Sequence, residues 1–594
     1  MKPTLVVVLT LSLLLVTASA FAQTSSQLKE LKDAIAAQQQ QIQQLQQQVQ
    51  SRDAAIQQLQ QQVGQAQAAA TDAEKAAAAA ALAQAPKSAE EISGLQHDVT
   101  DLKACCASTT EALQEVQKRV SDLESPLAIH YKGITITPGG FLAGETVWRS
   151  HAALGFATPL NAIPFSAAAQ ARASEFYGSG SQSRLSMLAQ GKWGTTNLTG
   201  YVEADFLGVG VTSNANQTNS YVLRQRQLFA QAGFADGWTF TGGQMWSLVT
   251  ETKKGLDNRT EATPMQIDPN YTAGFSWARQ FAFRGTKNFN NKTWIGVSVE
   301  NAQIILAASG APANYVIGGP GVGGGLYNQF ANYSTNVSPD FVAKIAFEPG
   351  FGHYEIFGLA SEFRDRIYPG ATLTKPTAAG AYNSSIWGGG WGANARWLFY
   401  QKHIETGIHF LGGKGVGRYG DTQLADVTVD PHGNLKALQN YQALLSLEWH
   451  SPKWDFYGYG GGDYVGRTWY GTKPFGLGPV GYGSPLFNNT GCGTETLPGT
   501  SQPFYAVTAG YQPGALASCV GQNKSVVEGT TGFWYKPYNG PKGRLQMGMQ
   551  YSYLVRTAWV GYGLPPYTSL PPSATIAPKA ISNMWFTSFR YYLP

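Results

Sequence analysis

A chain of 594 residues could hold several soluble domains or one large barrel, but only 13% of it is charged against 12% aromatic, with 68 glycines; that is little charge for a soluble surface. The net charge of +5 is too small to mark a nucleic-acid binder, and no basic cluster interleaved with aromatics occurs. Beyond the first twenty or so residues no apolar run approaches the roughly 20 residues of a spanning helix, so any membrane passage must use strands.

Residues 1–22 read as an export signal. Lys2 supplies the positive start, Leu5 to Val16 the apolar core, and Ala18-Ser19-Ala20 or Ala20-Phe21-Ala22 the small-residue cleavage site. Residues 23–125 read as a periplasmic α-helical coiled-coil stalk. In its first rod, 28–63, apolar residues fall at Leu28, Leu31, Ile35, Ile42, Leu45, Val49, Ile56, Leu59 and Val63, a three-then-four spacing that keeps one seam on a helix. Ile92, Leu95, Val99, Leu102, Leu113, Val116, Val120 and Leu123 repeat the pattern over 92–123, with an alanine-rich joint interrupted by Pro86 between the rods. Gln38 and Arg52 intrude on the first seam; the competing reading there is a Gln-rich disordered tract, and the seam does not settle the number of helices. Roughly 100 helical residues at about 1.5 Å each would reach on the order of 150 Å, which suits a spacer or assembly device. Cys105 and Cys106 lie in the second rod. They could bridge between chains or stay as buried thiols, and no further Cys or His sits near them at metal-ligand spacing.

From residue 126 to 594 the pattern changes to period two. In "SRLSMLAQGKWGTTNLTGYVEADF", Leu185, Met187, Ala189, Gly191 and Trp193 share one parity, and Arg184, Ser186, Gln190 and Lys192 share the other. After a turn at Gly194–Asn197, Leu198, Gly200, Val202, Ala204 and Phe206 alternate against Thr199, Tyr201, Glu203 and Asp205, which rebuilds the same two faces. Short turns recur near Gly194, Asp236, Asn291, Gly350, Tyr400, Pro452 and Gly540. Strands flanking them, with an opening strand near Phe141–Arg149 and a closing one near Met584–Tyr592, total sixteen. Eight long connections rich in Gly, Ser, Asn and Pro separate the hairpins, at about 151–182, 209–220, 248–277, 305–339, 366–385, 413–437, 468–524 and 557–580. Short turns at one end and long loops at the other are the rhythm of a transmembrane barrel, and sixteen strands leave room for an aqueous channel. The oily parity then faces lipid. Cys492 and Cys519 share the longest loop, where an exported chain can oxidise them to a loop-closing disulfide.

The chain resembles the DcaP-like outer-membrane porins, in which a periplasmic coiled coil precedes a trimeric sixteen-stranded barrel. The likeness is carried by "SRLSMLAQGKW" with "GYVEADF", "LRQRQLFAQAGF" before "GGQMWSLV", "RQFAFRGTKNF", "PDFVAKIAFEP" with "GHYEIFGL", and the closing "FTSFRYYLP". Terminal Pro594 departs from the aromatic that usually ends such barrels. The resemblance implies a homotrimer in the outer membrane, with the stalk in the periplasm, passing small hydrophilic solutes and favouring anions such as dicarboxylates. It also implies an inward-folded third outer loop, here about Ser247–Trp277. Carried over by position, the lumen arginines would be Arg184, Arg224, Arg226, Arg279 and Arg284, with Lys192, Glu203 and Asp205 beside them. The competing reading is that the arginines only balance Glu203 and Asp205. The loop's own charges are mixed, with Lys253, Lys254 and Arg259 against Glu251, Asp257, Glu261 and Asp268.

Enzymes and tethers are the rival classes. His403, Glu405 and His409 suggest a metal, but six strand residues at about 3.3 Å each put the histidines roughly 20 Å apart. The glycine pattern at Gly319–Gly324 lies in a loop with no following helix and no Lys-Ser/Thr pair. No Gly-x-Ser-x-Gly elbow or His-Glu-x-x-His helix occurs. The sequence therefore predicts no enzyme, no cofactor, no metal and no nucleic-acid partner. A tether would use the stalk to contact the cell wall, with the barrel as its membrane anchor.

Overall fold

The computed structural model describes residues 128–594 except 154, 167, 209–221, 321–331, 472–478, 490–491, 493–494, 496–520 and 563–574; of the preceding segment it describes only Gln65, Asp72 and Lys75, each helical. The export signal, both stalk rods, Cys105, Cys106 and Cys519 lie outside the described residues. Ser125–Pro594 form a unit of their own, separate from Met1–Glu124.

Sixteen strands make one closed antiparallel barrel. In chain order they are β1 (Ile134–Arg149), β2 (Arg184–Trp193), β3 (Thr196–Asp205), β4 (Arg224–Gly233), β5 (Trp238–Trp246), β6 (Arg279–Phe289), β7 (Thr293–Glu300) and β8 (Asp340–Phe347). They continue as β9 (His353–Ile367), β10 (Tyr382–Phe399), β11 (Ile404–Lys414), β12 (Gln439–His450), β13 (Trp454–Val465), β14 (Asn523–Gly540), β15 (Gly543–Ala558) and β16 (Lys579–Tyr592). Each pairs with the next, and β1 pairs with β16 from Phe141↔Tyr592 to Arg149↔Met584, so no sheet edge is left to satisfy in a solvent that cannot hydrogen-bond.

Alternation sets the two faces. Along β8, Phe341, Ala343, Ile345 and Phe347 point outward while Asp340, Val342, Lys344 and Ala346 are enclosed. The outward set is apolar around the ring: Ile356, Leu445, Leu447, Val297 and Val527 are each more than half exposed in the single chain. At the short-turn end, Trp454 packs against Phe456 at 6.0 Å and Tyr535 at 4.6 Å, part of a cluster of outward-facing rings. At the other end Tyr551 packs on Trp585 at 4.7 Å.

The seven short turns fall where the sequence places them. Asn290 and Asn291, with φ of 56° and 54°, make the left-handed pair that a tight hairpin requires. Two features differ from expectation. β1 begins at Ile134 rather than near Phe141, because Pro138-Gly139-Gly140 breaks the apolar pattern without ending the strand; Gly140, at φ +124°, passes so close to β2 that a Cβ would lie 2.1 Å from the Arg184 carbonyl. The long loops, numbered L1 to L8, also carry short strands of their own. Val427–Val429 pairs with Leu435–Ala437 in L6, and Thr468–Tyr470 with Val480–Tyr482 in L7. Val427, Val429, Leu435 and Val480 share an apolar core with Phe363 and with Ile304 and Leu306 of L4, so these loops clasp one another.

Candidate functional site

L3 (247–278) leaves β5 and crosses the lumen. Its path is fixed by hydrogen bonds to enclosed side chains around the ring. Arg396 of β10 donates to Glu251 at 3.0 Å, and the Gly255 amide donates to Glu348 at 2.6 Å in the turn after β8. The Met265 amide donates to the Tyr459 hydroxyl at 2.7 Å, Trp534 Nε1 donates to the Met265 carbonyl at 2.7 Å, and the Ile267 amide donates to Gln550 at 2.6 Å. The loop returns past β12–β13, where the Gly274 amide donates to Asp463 at 3.2 Å. Ile267, Tyr271 and Phe275 join Phe156, Leu160 and Ile163 of L1 in an apolar core against Tyr457, Trp534 and Phe586. That core fills the β13–β16 side of the lumen and leaves polar residues facing the rest.

A cavity of about 490 Å³ opens between L3 and the wall made by β1 to β4, β15 and β16, lined among others by Arg184, Glu203, Arg226, Glu261, Arg544 and Arg590. A smaller one of about 120 Å³ lies between L1, L3 and L6, lined by Asn161, Asn270, Trp277 and Asp421. Asn270 lines the one and Tyr271 the other, so this stretch of L3 stands at the divide.

The structure pairs much of the arginine ladder. Arg226, buried, donates to Glu203 at 2.6 Å and to Asp205 at 2.8 Å, and Arg224 grips Asp205 with two bonds at 2.9 and 2.8 Å. Arg184 lies 3.6 Å from Glu203. The balancing reading therefore describes these three. Arg284 serves the loop: it donates to Asn258 at 2.7 Å and to the Trp246 carbonyl at 2.6 Å. Arg279 differs from all of them. Its guanidinium packs on Trp246 at 4.9 Å and Trp277 at 4.7 Å, and its buried Nε and Nη1 have no partner among the described residues. Arg184, Arg224 and Arg226 are near enough to act on it electrostatically, so four arginines here face two carboxylates.

The loop charges divide likewise. Lys253 approaches Glu405 at 3.5 Å and Glu448 at 3.9 Å on the far wall, while Arg259 packs on Tyr201 at 4.7 Å. Asp268 is buried and tied to L1, where it accepts from the Thr158 hydroxyl and the Thr158 amide; burial pushes its carboxyl up. Glu261 is likewise pushed up by burial, and its backbone bridges to Thr252 within the loop. Lys254 and Asp257 are exposed, as is Lys192 beside the Gly194 turn. Cys492 is buried and disulfide-bonded; its expected partner Cys519 lies outside the described residues.

His403 and His409 do not meet: His409 bonds Ser276 at 2.9 Å in the lumen, and His403 bonds the His450 carbonyl at 2.7 Å. Glu405 instead gathers with Glu448 and His450, their ligand atoms within 4.8 Å of one another, the single such group among the described residues. Lys253 and Arg396 already neutralise it. Sequence reasoning missed Tyr201, Trp246 and Trp277, which position Arg259 and Arg279; the signal available was an aromatic next to a lumen arginine in register.

No protein-family model matches the chain, and no curated protein does. Among solved structures, the outer membrane channel DcaP of Acinetobacter baumannii aligns with a TM-score of 0.49 and 14% identity over 78% of this chain and 99% of that one. The anion-selective porin from Comamonas acidovorans aligns at 0.38 and 9% over 77% and 100%, and OmpF of Salmonella typhi at 0.39 and 8% over 78% and 100%.

Proposed function

We propose that this chain is an outer-membrane porin of the DcaP-like kind, a homotrimer that lets small hydrophilic solutes diffuse across and favours anions such as dicarboxylates. The observation that carries the reading is a closed barrel, apolar outside, whose lumen holds an open cavity walled by charged side chains and narrowed by L3. A loop pinned at many points narrows without sealing, and the excess of arginine around Arg279 supplies the preference for anions. That guanidinium stays charged at any working pH, so its field, with those of its arginine neighbours, attracts a passing carboxylate. Paired neighbours keep the site weak enough to release what it binds. The periplasmic stalk serves assembly or spacing, so a protein lacking 23–125 keeps its conductance.

Planar-bilayer recording with a salt gradient tests this. Discrete channels whose reversal potential favours the anion support the reading. Absence of conductance overturns the porin assignment, and a cation-selective reversal potential overturns the role given to the arginines.

A further inference from the structure

We infer that the outer rim of β13–β15 binds phosphate groups of the outer-leaflet glycolipid, through Arg467 and Lys524 packed on Trp559; the inference rests on the outer-membrane reading above. Both cations lie on one indole, Arg467 at 5.3 Å and Lys524 at 5.2 Å from its centroid. The ring is fixed: Trp559 Nε1 donates to the Val465 carbonyl at 3.2 Å and its backbone amide donates to Gln522 at 2.8 Å.

The depth of this group along the barrel is set by its neighbours. Tyr464 meets Trp559 edge-on at 6.0 Å and Tyr441 meets Tyr464 at 6.2 Å. Tyr441 stands on the outward parity of β12, in line with Leu445 and Leu447. These rings cap the apolar face at its long-loop end, the place where an aromatic belt meets lipid headgroups. Arg467 and Lys524 are both exposed there, just beyond the belt.

No carboxylate pairs with either cation among the described residues, and L7 and L8, the loops that rise from these strands, contain one acidic residue in their sequence, Glu495. Two like charges held on one ring repel each other unless an anion lies between or above them. A headgroup phosphate at that depth supplies one, and the aromatic contact holds both side chains ready for it. The long-loop end faces the outer leaflet, where the phosphorylated lipid is lipopolysaccharide, so the ligand is that lipid and not a phospholipid.

The full chain, purified in detergent and returned to neutral-lipid nanodiscs, is offered lipopolysaccharide, its enzymatically dephosphorylated form, or phosphatidylglycerol, and retained lipid is counted by native mass spectrometry. The parent should retain lipopolysaccharide and lose at least about tenfold when the phosphates are removed. R467Q/K524Q should lose a similar factor while conducting like the parent, which shows it is folded. Equal retention by the double variant, of the dephosphorylated form, or of phosphatidylglycerol overturns the proposal. A parent that does not conduct overturns the porin reading instead, whatever it retains.

Discussion

Arg226 and Arg279 stand in one lumen and answer to different physics. Arg226 is enclosed with Glu203 and Asp205, so its removal leaves buried Glu203 with only Arg184, 3.6 Å away, while Arg224 still holds Asp205. Arg226→Ala should cost about 3 kcal/mol in denaturant unfolding from lipid vesicles. Arg224, whose side chain is 31% exposed, should cost about 1 kcal/mol or less on the same change. Neither substitution isolates selectivity, because each also frees an acid that attracts cations. Arg279 has no such partner, and Arg279→Gln should lower the anion-to-cation permeability ratio roughly threefold with folding unchanged, read from the reversal potential and from heat-modifiable electrophoretic mobility. An unmoved reversal potential would return Arg279 to a packing role between its tryptophans. The Glu203–Arg226 pairing was foreseeable from neighbouring strands of one hairpin run. The isolation of Arg279 was not: Trp277, two residues before it, and Trp246, opposite it in register, are local, whereas the lack of any acidic partner among the described residues depends on what the rest of the lumen brings near.

At the scale of elements, L3 is the part whose course local sequence does not encode. Turns such as Asn290–Asn291 are written in two adjacent residues, and strands in a parity rule, so both are legible from a short window. The route of L3 depends on Glu348 in the turn after β8, Tyr459 and Asp463 of β13 and Gln550 of β15, all distant from the loop in sequence. Gly274 lies hard against the wall, at φ +92° and with room so short that a Cβ would sit 2.0 Å from the Ala443 carbonyl. Gly274→Ala should lift this stretch from β12–β13 toward the open cavity, lowering single-channel conductance and adding open-channel noise; unchanged recordings would mean that the narrow point lies elsewhere. The L4–L6 clasp holds a carboxyl that burial perturbs. Asp426 accepts from the amides of Ile305 and Arg418, both at 2.8 Å, and burial pushes its carboxyl up to about 7. A folded pKa above the unfolded value means the native state holds the extra proton, so stability from this group is full below about pH 4 and is lost as pH rises toward 7. Asp426→Asn stays uncharged throughout, and its unfolding free energy should therefore gain on the parent between about pH 4 and pH 7, by no more than about 1.4 kcal/mol per pH unit. A constant difference across that range would show that Asp426 does not titrate there.

For the whole molecule, the deciding matter is which medium touches which parity. The strand count, the loop rhythm and the oily face were readable because a period of two needs no long-range information, whereas closure of β1 on β16 joins residues more than four hundred apart and only the structure displays it. Lys344 and Ile345 put the question at one point of β8. Lys344 is enclosed, 2.6 Å from Glu355 and 2.8 Å from the Thr250 carbonyl. Ile345, its neighbour in the chain, is 52% exposed and lies beside Ile295 and Ile356 on the strands to either side. Were the outer face wet, Ile345→Lys would relieve an exposed apolar patch and cost almost nothing. With hydrocarbon there, the same ammonium should cost about 2–4 kcal/mol at Phe341, which pairs with Ala360 midway along β9, and fall through Ile345 toward 1 or less for lysine placed at Phe347 near the turn. Urea unfolding of the three variants in vesicles reads that depth dependence directly. Equal and small costs at all three positions would remove the bilayer from the account, because water treats the middle of a barrel wall and its rim alike.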